Sequence, residues 1–134
     1  MTVSQNRAMV ITPFDARGQR VFDTVVRTLN ELDVEVFRLD RFPAGSNISS
    51  AVAKAIESAD FIVVDVTRQN PSVMYELGYA HGLRKPTILL LSQDTEAPMP
   101  SELSGNLYLV YNPNNLGMLR DRLRQTVRHY LVRG

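Results

Sequence analysis

The sequence predicts an α/β protein, a flavodoxin-like (Rossmann-like) open sheet of five mainly parallel strands in the order 2-1-3-4-5 with helices on both faces. Short β-rich runs alternate with longer helical patterns, which is typical of consecutive βαβ units. Two runs, 61–64 and 87–91, are nearly all apolar, as expected for central strands covered on both faces. With 134 residues, 44% of them hydrophobic, we expect a single domain over 1–134.

The β-rich runs and the helical patterns alternate in chain order. We expect strands at 8–12, 34–39, 61–66, 87–92 and 107–111 and helices at 19–32, 48–58, 72–84 and 116–132. Apolar residues recur at helical spacing in the second helix (Ile48, Val52, Ala55, Ile56) and in the last (Leu119, Leu123, Val127, and Tyr130 or Leu131). The irregular segment 93–106 contains Pro98, Pro100 and Gly105, and it is either a lid, a degraded helix or a plain surface excursion.

Ligands of such sheets bind at the carboxyl ends of the strands, so the loops after the first three strands are candidate pocket walls. These loops are 12–15, 42–47 and 65–70. Thr12 and Phe14 belong to the first, and Phe14 could stack on a base or belong to the core. Asp65 ends a central strand, where it could hold sugar hydroxyls, share proton transfer with a second carboxylate, or form an Asx-turn.

Glu76 occupies an unusual position in the third helix, which Asn70 caps and Pro71 begins. At about 100° per residue, it falls within the apolar arc of Val73, Leu77, Tyr79, Ala80 and Leu83. The helix dipole favours the ionised carboxylate and burial disfavours it. Such a carboxylate could attack or stabilise an oxocarbenium-like sugar carbon. Alternatively, Glu76 is a partly exposed residue bonded to Ser72, Tyr75 or a nearby loop.

Two helix starts could receive a phosphate or a ribose hydroxyl. Asn70 and Ser72 stand at one of them, and Gly45 and Ser46 stand at the other, where glycine permits close backbone approach. Ordinary helix capping explains the same residues, and for Asn70 alone it is the stronger interpretation.

Composition excludes several classes of function. The chain has no cysteine, two histidines and a net charge of +1, so we expect no disulfide, no metal site and no global attraction to nucleic acid. G-x-G-x-x-G and P-loop motifs are absent. An arginine stripe (Arg120, Arg124, Arg128) could bind nucleic acid or an acidic partner, but a solvated face is the stronger interpretation. Without a membrane-length apolar run or a signal-peptide core, we expect a cytoplasmic protein.

The segment 60–86, with its strand, its loop, its Tyr-Glu-Leu-Gly-Tyr-Ala motif at 75–80 and its closing Lys-Pro, resembles the nucleoside 2-deoxyribosyltransferase-like group. That group includes nucleotide N-glycosidases and adjoins the bacterial TIR-like domains. The Thr-Pro-Phe turn at 12–14 also resembles a TIR-like nucleotide-binding subgroup. The resemblance implies that Glu76 acts at the anomeric carbon and that Asn70 and Ser72 line the sugar or phosphate pocket. It implies no bound cofactor, and a homo-oligomer in which a neighbour helps to close the site.

One departure from the group affects the function that the resemblance implies. The deoxyribosyltransferases carry an additional aspartate near the position of Val52. Its absence favours hydrolysis of a nucleoside or nucleotide, cleavage of NAD, or binding without catalysis over deoxyribosyl transfer. The leading hypothesis is therefore an enzyme of N-glycosidic bonds, and the alternative is a non-catalytic TIR-like nucleotide-binding module in signalling or defence.

Overall fold

The computed structural model of the protein describes residues 6–13, 15–37, 48–68, 71–95 and 108–131. This part of the chain forms five strands and four helices, and a helix follows every strand except the fourth. The strands are β1 (Arg7–Ile11), β2 (Glu35–Val36), β3 (Phe61–Asp65), β4 (Thr87–Ser92) and β5 (Tyr108–Tyr111). The helices are α1 (Ala16–Glu31), α2 (Ile48–Ser58), α3 (Pro71–Gly82) and α4 (Leu116–Val127).

The five strands form one sheet in the order β2-β1-β3-β4-β5, and every pairing is parallel. The predicted fold class and strand order are confirmed. β3 lies in the centre and all five of its residues are buried, as its apolar sequence predicts. Because the strands are parallel, their carboxyl ends meet at one edge, which we call the C-terminal edge.

Two apolar cores cover the two faces of the sheet. On one face, α1 and α4 pack over alternate strand residues such as Phe61 and Val63. On the other face, α2 and α3 pack over the intervening residues such as Ile62 and Val64. This alternation follows from the two-residue period of a strand, and it assigns each side chain of β3 to one of the two helical layers.

Several ends of the elements differ from prediction. α1 begins three residues early because the Asp15 carboxylate accepts a hydrogen bond from the Gly18 amide (2.7 Å) and caps the helix. α3 stops at Gly82, before the predicted residue 84, where Arg84 adopts the left-handed region with φ of 58°. β2 comprises only two residues. Of the irregular segment 93–106, only 93–95 lie within the described residues.

Gly18 lies very close to the backbone of Pro13 in the β1–α1 connection. A Cβ at this position would lie 1.9 Å from the Pro13 carbonyl oxygen, and this is a backbone atom that cannot swing away. Gly78, in the middle of α3, has nothing within 4 Å of the corresponding position. The β1–α1 connection therefore requires glycine at 18, and α3 does not require it at 78.

We predict opposite effects of alanine at these two positions. Gly18→Ala should lower the free energy of unfolding by at least the roughly 1–3 kcal/mol typical of overpacking. Gly78→Ala should raise it by about 0.5–1 kcal/mol, because alanine loses less backbone entropy in a helix. Urea denaturation of both variants beside the wild type measures the two changes. Equal effects at both sites would contradict the close approach of Pro13 to Gly18.

Candidate functional site

The Asp65 carboxylate lies at the C-terminal edge, at the end of the central strand, and the residue is only 3% exposed. Its Oδ1 accepts hydrogen bonds from the Thr67 amide (3.0 Å) and the Thr67 hydroxyl (2.5 Å). Its Oδ2 accepts one from the Tyr111 hydroxyl at the end of β5 (2.6 Å). The bond to the Thr67 amide is the Asx-turn anticipated as one interpretation of this residue. Both carboxylate oxygens are thus engaged inside the fold.

The hydrogen bonds around Asp65 extend to the neighbouring strand. The Thr67 hydroxyl accepts a hydrogen bond from the Ser92 amide at the end of β4 (2.9 Å). The Ser92 hydroxyl donates to Asp94 (2.5 Å), and the Arg17 guanidinium donates to both Ser92 (3.3 Å) and Asp94 (2.5 Å). One connected set of polar side chains therefore joins the ends of β3, β4 and β5 to the first turn of α1. We call it the strand-end network.

Tyr111 remains a hydrogen-bond donor in this network. Burial raises the pKa of the Tyr111 hydroxyl, and the negative charge of Asp65 raises it further. The phenol consequently keeps its proton at physiological pH. A narrow cleft beside the network is lined by Pro13, Asp15, Arg17, Gly18, Asp65, Thr67, Arg68 and Tyr111. At its rim an ion pair joins Arg68 to Asp15, the N-cap of α1.

Glu76 lies in the second turn of α3, in the helical layer on the other face of the sheet. It is half-buried, and Val73, Leu77 and Ala80 beside it are buried, as the helical arc predicts. Leu83, placed in the same arc, is 42% exposed because α3 ends before it. Burial raises the pKa of the Glu76 carboxyl. Within the described residues this carboxylate has no hydrogen-bond or ion-pair partner.

Tyr79 links α3 to α2 one turn beyond Glu76. The Tyr79 hydroxyl, one turn further along α3, donates a hydrogen bond to Glu57 of α2 (2.5 Å). α2 and α3 both run antiparallel to the strands and pack together. Val52, near the position of the aspartate of the deoxyribosyltransferases, packs against the apolar core. Glu76 itself lies among the buried α3 residues Val73, Leu77 and Ala80, and its burial raises the pKa of its carboxyl.

The structure separates the two carboxylates that the sequence grouped as catalytic. Phe61, Val63 and Tyr111 belong to the core under α1 and α4. Asp65 continues the alternation of Phe61 and Val63 and bonds to Tyr111, so its side chain lies on that face. Glu76 lies in the α2–α3 layer. Sharing of a proton between Asp65 and Glu76 therefore finds no support in this arrangement.

The predicted substrate-binding residues are only partly within the described chain. Thr12 follows β1 and is half-buried, and Ser72 is exposed in the first turn of α3. Both therefore lie at the C-terminal edge, as predicted. Phe14, Gly45, Ser46 and Asn70 lie outside the described residues, so their predicted roles stay predictions.

Three further predictions concern metal binding, membrane spans and the arginine stripe. Among the residues that the structure describes, no group of three or more His, Cys, Asp or Glu side chains could hold a metal ion. None of the described helices is long and apolar enough to cross a membrane. In the arginine stripe, Arg124 pairs with Glu31 of α1 and Arg120 lies 3.5 Å from Asp121. Two of the three arginines thus have acidic neighbours within the chain.

Sequence reasoning did not single out four members of the strand-end network, which are Arg17, Thr67, Ser92 and Tyr111. Ser92 and Tyr111 are each the last residue of a strand, and the parallel topology brings such residues together at the C-terminal edge. The strand assignments were thus a signal that could have identified both. Arg17 has no comparable signal, because it lies between the predicted loop 12–15 and the predicted helix 19–32.

Comparison with known proteins finds likeness of structure. No family model matches the sequence, and no curated protein matches it. The TIR domain of the Toll-related receptor TRR-2 from Hydra magnipapillata is 18% identical, with a TM-score of 0.68 over 95% of this chain and 98% of its own. The CMP N-glycosidase of Clostridium botulinum is 21% identical, with a TM-score of 0.61 over 87% and 99% of the two chains.

A third solved structure is the 2-deoxyribosyltransferase of Bacillus psychrosaccharolyticus, 18% identical, with a TM-score of 0.62 over 82% of this chain and 89% of its own. The N-glycosidase, the deoxyribosyltransferase and the TIR domain represent the groups named by the sequence resemblance, and this chain shares their fold. At such identities the likeness shows the fold alone.

The buried setting of Glu76 predicts a stability change in Glu76→Gln. The folded-state pKa is raised, so the folded protein binds this proton more tightly than the unfolded chain, and stability falls as pH rises from the ordinary glutamate pKa through the raised value. Glutamine removes the buried charge. Glu76→Gln should therefore be more stable than the wild type at neutral pH, and the difference should vanish below about pH 3.5, where both states of the wild type are protonated.

Urea denaturation of the variant and the wild type, at neutral pH and again below about pH 3.5, checks this prediction. Glu35→Gln is the matched control, because Glu35 is an exposed glutamate whose ion pair with Arg7 is also exposed and worth little. A Glu76→Gln variant that is less stable than the wild type at neutral pH would show that the carboxylate has a favourable partner.

Proposed function

We propose that the protein acts on the N-glycosidic bond of a nucleoside, a nucleotide or NAD, with Glu76 at the anomeric carbon. The single observation that carries the proposal is a half-buried carboxylate without a partner in the described chain, in the second turn of a helix that begins at the ligand-binding edge. The shared fold of an N-glycosidase and a deoxyribosyltransferase supports the choice of bond.

The chemistry needs a carboxylate that is ionised and poorly hydrated. As the C1′–N bond breaks, its electron pair leaves with the base and positive charge develops on the sugar carbon. Glu76 would bond to that carbon or stabilise the charge. Water or a second base would then add to C1′, which releases any Glu76–C1′ bond as the free carboxylate, and the departed base takes up the proton that the incoming group loses. The apolar surroundings of Glu76 strengthen its interaction with a developing charge. Ser72 and Asn70 would hold the sugar or phosphate, together with Thr12, Phe14, Gly45 and Ser46.

A second candidate function is binding of a nucleotide without catalysis, as a TIR-like module. One observation favours it: Asp65, the other predicted catalytic carboxylate, lies on the opposite face and accepts hydrogen bonds from Thr67 and Tyr111 on its two oxygens. Among the described groups no neighbouring charge contributes to the Glu76 pKa shift, so no second acid stands beside it there. A site with one carboxylate could recognise a ribose without cleaving its bond.

Product analysis tests the proposal. The protein is incubated with ribonucleotides, deoxynucleotides and NAD, and released base or nicotinamide is measured by chromatography. We expect release from one of these classes and its loss, by on the order of 10³-fold or more, in Glu76→Gln, because the reacting charge then has no counterpart. Glu35→Gln should retain full turnover.

Two outcomes would overturn parts of the proposal. Undiminished turnover in Glu76→Gln would remove the role of Glu76 at the anomeric carbon. No product from any substrate, with one of the same nucleotides binding tightly in calorimetry, would exclude cleavage and favour the binding module.

A further inference from the structure

We infer that Asp65 is a positioning residue: with Thr67 it holds the chain that leads from β3 into α3, and so sets the environment of Glu76. The inference rests on the proposed function only for its consequence in catalysis. The structural part depends on the strand-end network alone.

Both oxygens of the Asp65 carboxylate accept hydrogen bonds from within the fold. Oδ1 accepts two hydrogen bonds from Thr67 and Oδ2 accepts one from Tyr111, all between 2.5 and 3.0 Å. The residue is 3% exposed. A carboxylate in this state serves the fold as an internal hydrogen-bond acceptor, and the loss of its buried hydrogen bonds is costly.

Thr67 also links the end of β3 to β4, the neighbouring strand. Its hydroxyl donates to Asp65 and accepts from the Ser92 amide (2.9 Å), so one side chain joins the ends of β3 and β4. The Val66 amide also donates to the Leu90 carbonyl (3.0 Å). The chain is therefore held at two consecutive residues just beyond β3.

Arg68, the residue after Thr67, links this part of the chain to α1. Arg68 forms an ion pair with Asp15, which caps α1. Pro71 begins α3 only four residues after Thr67, and Glu76 is in the second turn of that helix. A displacement of Thr67 would consequently change how α3 packs, and with it the burial of Glu76.

Three substitutions separate positioning from catalysis. Thr67→Val removes the hydroxyl while keeping the shape of the side chain, and Thr67→Ser keeps the hydroxyl. Asp65→Asn removes the charge but can keep the geometry, since its Oδ1 can accept from Thr67 and its Nδ2 can donate to Tyr111. Thr28→Val is the matched control, because Thr28 is fully buried and bonds only within α1, to Thr24 (2.8 Å).

The first measurement does not depend on turnover. The Glu76 pKa is followed by carbon NMR of its carboxyl group, and amide hydrogen exchange is measured over 66–76. In Thr67→Val we expect the Glu76 pKa to fall toward its ordinary value and exchange to accelerate. Thr67→Ser, Asp65→Asn and Thr28→Val should resemble the wild type. An unchanged Glu76 pKa in Thr67→Val, or an equal change in Thr28→Val, overturns the inference.

The second measurement is the pH profile of kcat and kcat/KM with the substrate class found active. Thr67→Val should lose up to about 10²-fold in kcat through misplacement of Glu76, and Asp65→Asn should keep the wild-type profile. Loss of one limb of the profile in Asp65→Asn would make Asp65 a catalytic residue and overturn the inference. If the wild type turns over nothing, the proposed function fails, and the NMR and exchange results still decide the role of Asp65.

Discussion

The need to satisfy a carboxylate at the end of a fully buried strand governs the C-terminal edge. β3 is covered on both faces, so Asp65 leaves the sheet at a place that water barely reaches. A buried charge is tolerated only when its oxygens are hydrogen-bonded. The available donors come from Tyr111 on β5 and from Thr67 just beyond β3. The hydrogen bonds of this one carboxylate therefore link β3 to β5, two strands that are not adjacent in the sheet.

The same topology places Asp65 and Glu76 on opposite faces of the sheet. The α1–α4 face holds the strand-end network, in which Asp65 accepts hydrogen bonds from Thr67 and Tyr111. The α2–α3 face holds Glu76, whose carboxylate has no partner in the described chain. A connected set of hydrogen bonds thus lies on one face, and a half-buried carboxylate without a partner in the described chain lies on the other. Preorganised sites commonly combine a group of this kind with a well-anchored support.

The architecture could be predicted because it depends on local patterns. The helix Ile48–Ser58 and the strand Thr87–Ser92 have the predicted bounds, since apolar residues at helical spacing specify the first and a continuous apolar run specifies the second. The start of α1 could not be predicted, because it depends on Asp15 acting as a cap and not as a loop residue. In the site, Glu76 follows from helical phase alone. The Tyr111–Asp65 bond joins residues 46 positions apart, and only the assembled sheet reveals it.

The burial of Glu76 is informative because it opposes stability. A glutamate in this position could be replaced by glutamine or an apolar residue with a gain in folding free energy, because the charged form is disfavoured by its surroundings. Departures from local consistency of this kind are expected at functional sites. The solved structures of similar fold cannot supply this point, because they establish the arrangement of strands and helices only. It comes from the burial of Glu76 beside its apolar neighbours in α3, and for that reason the proposed chemistry centres on this residue and not on Asp65.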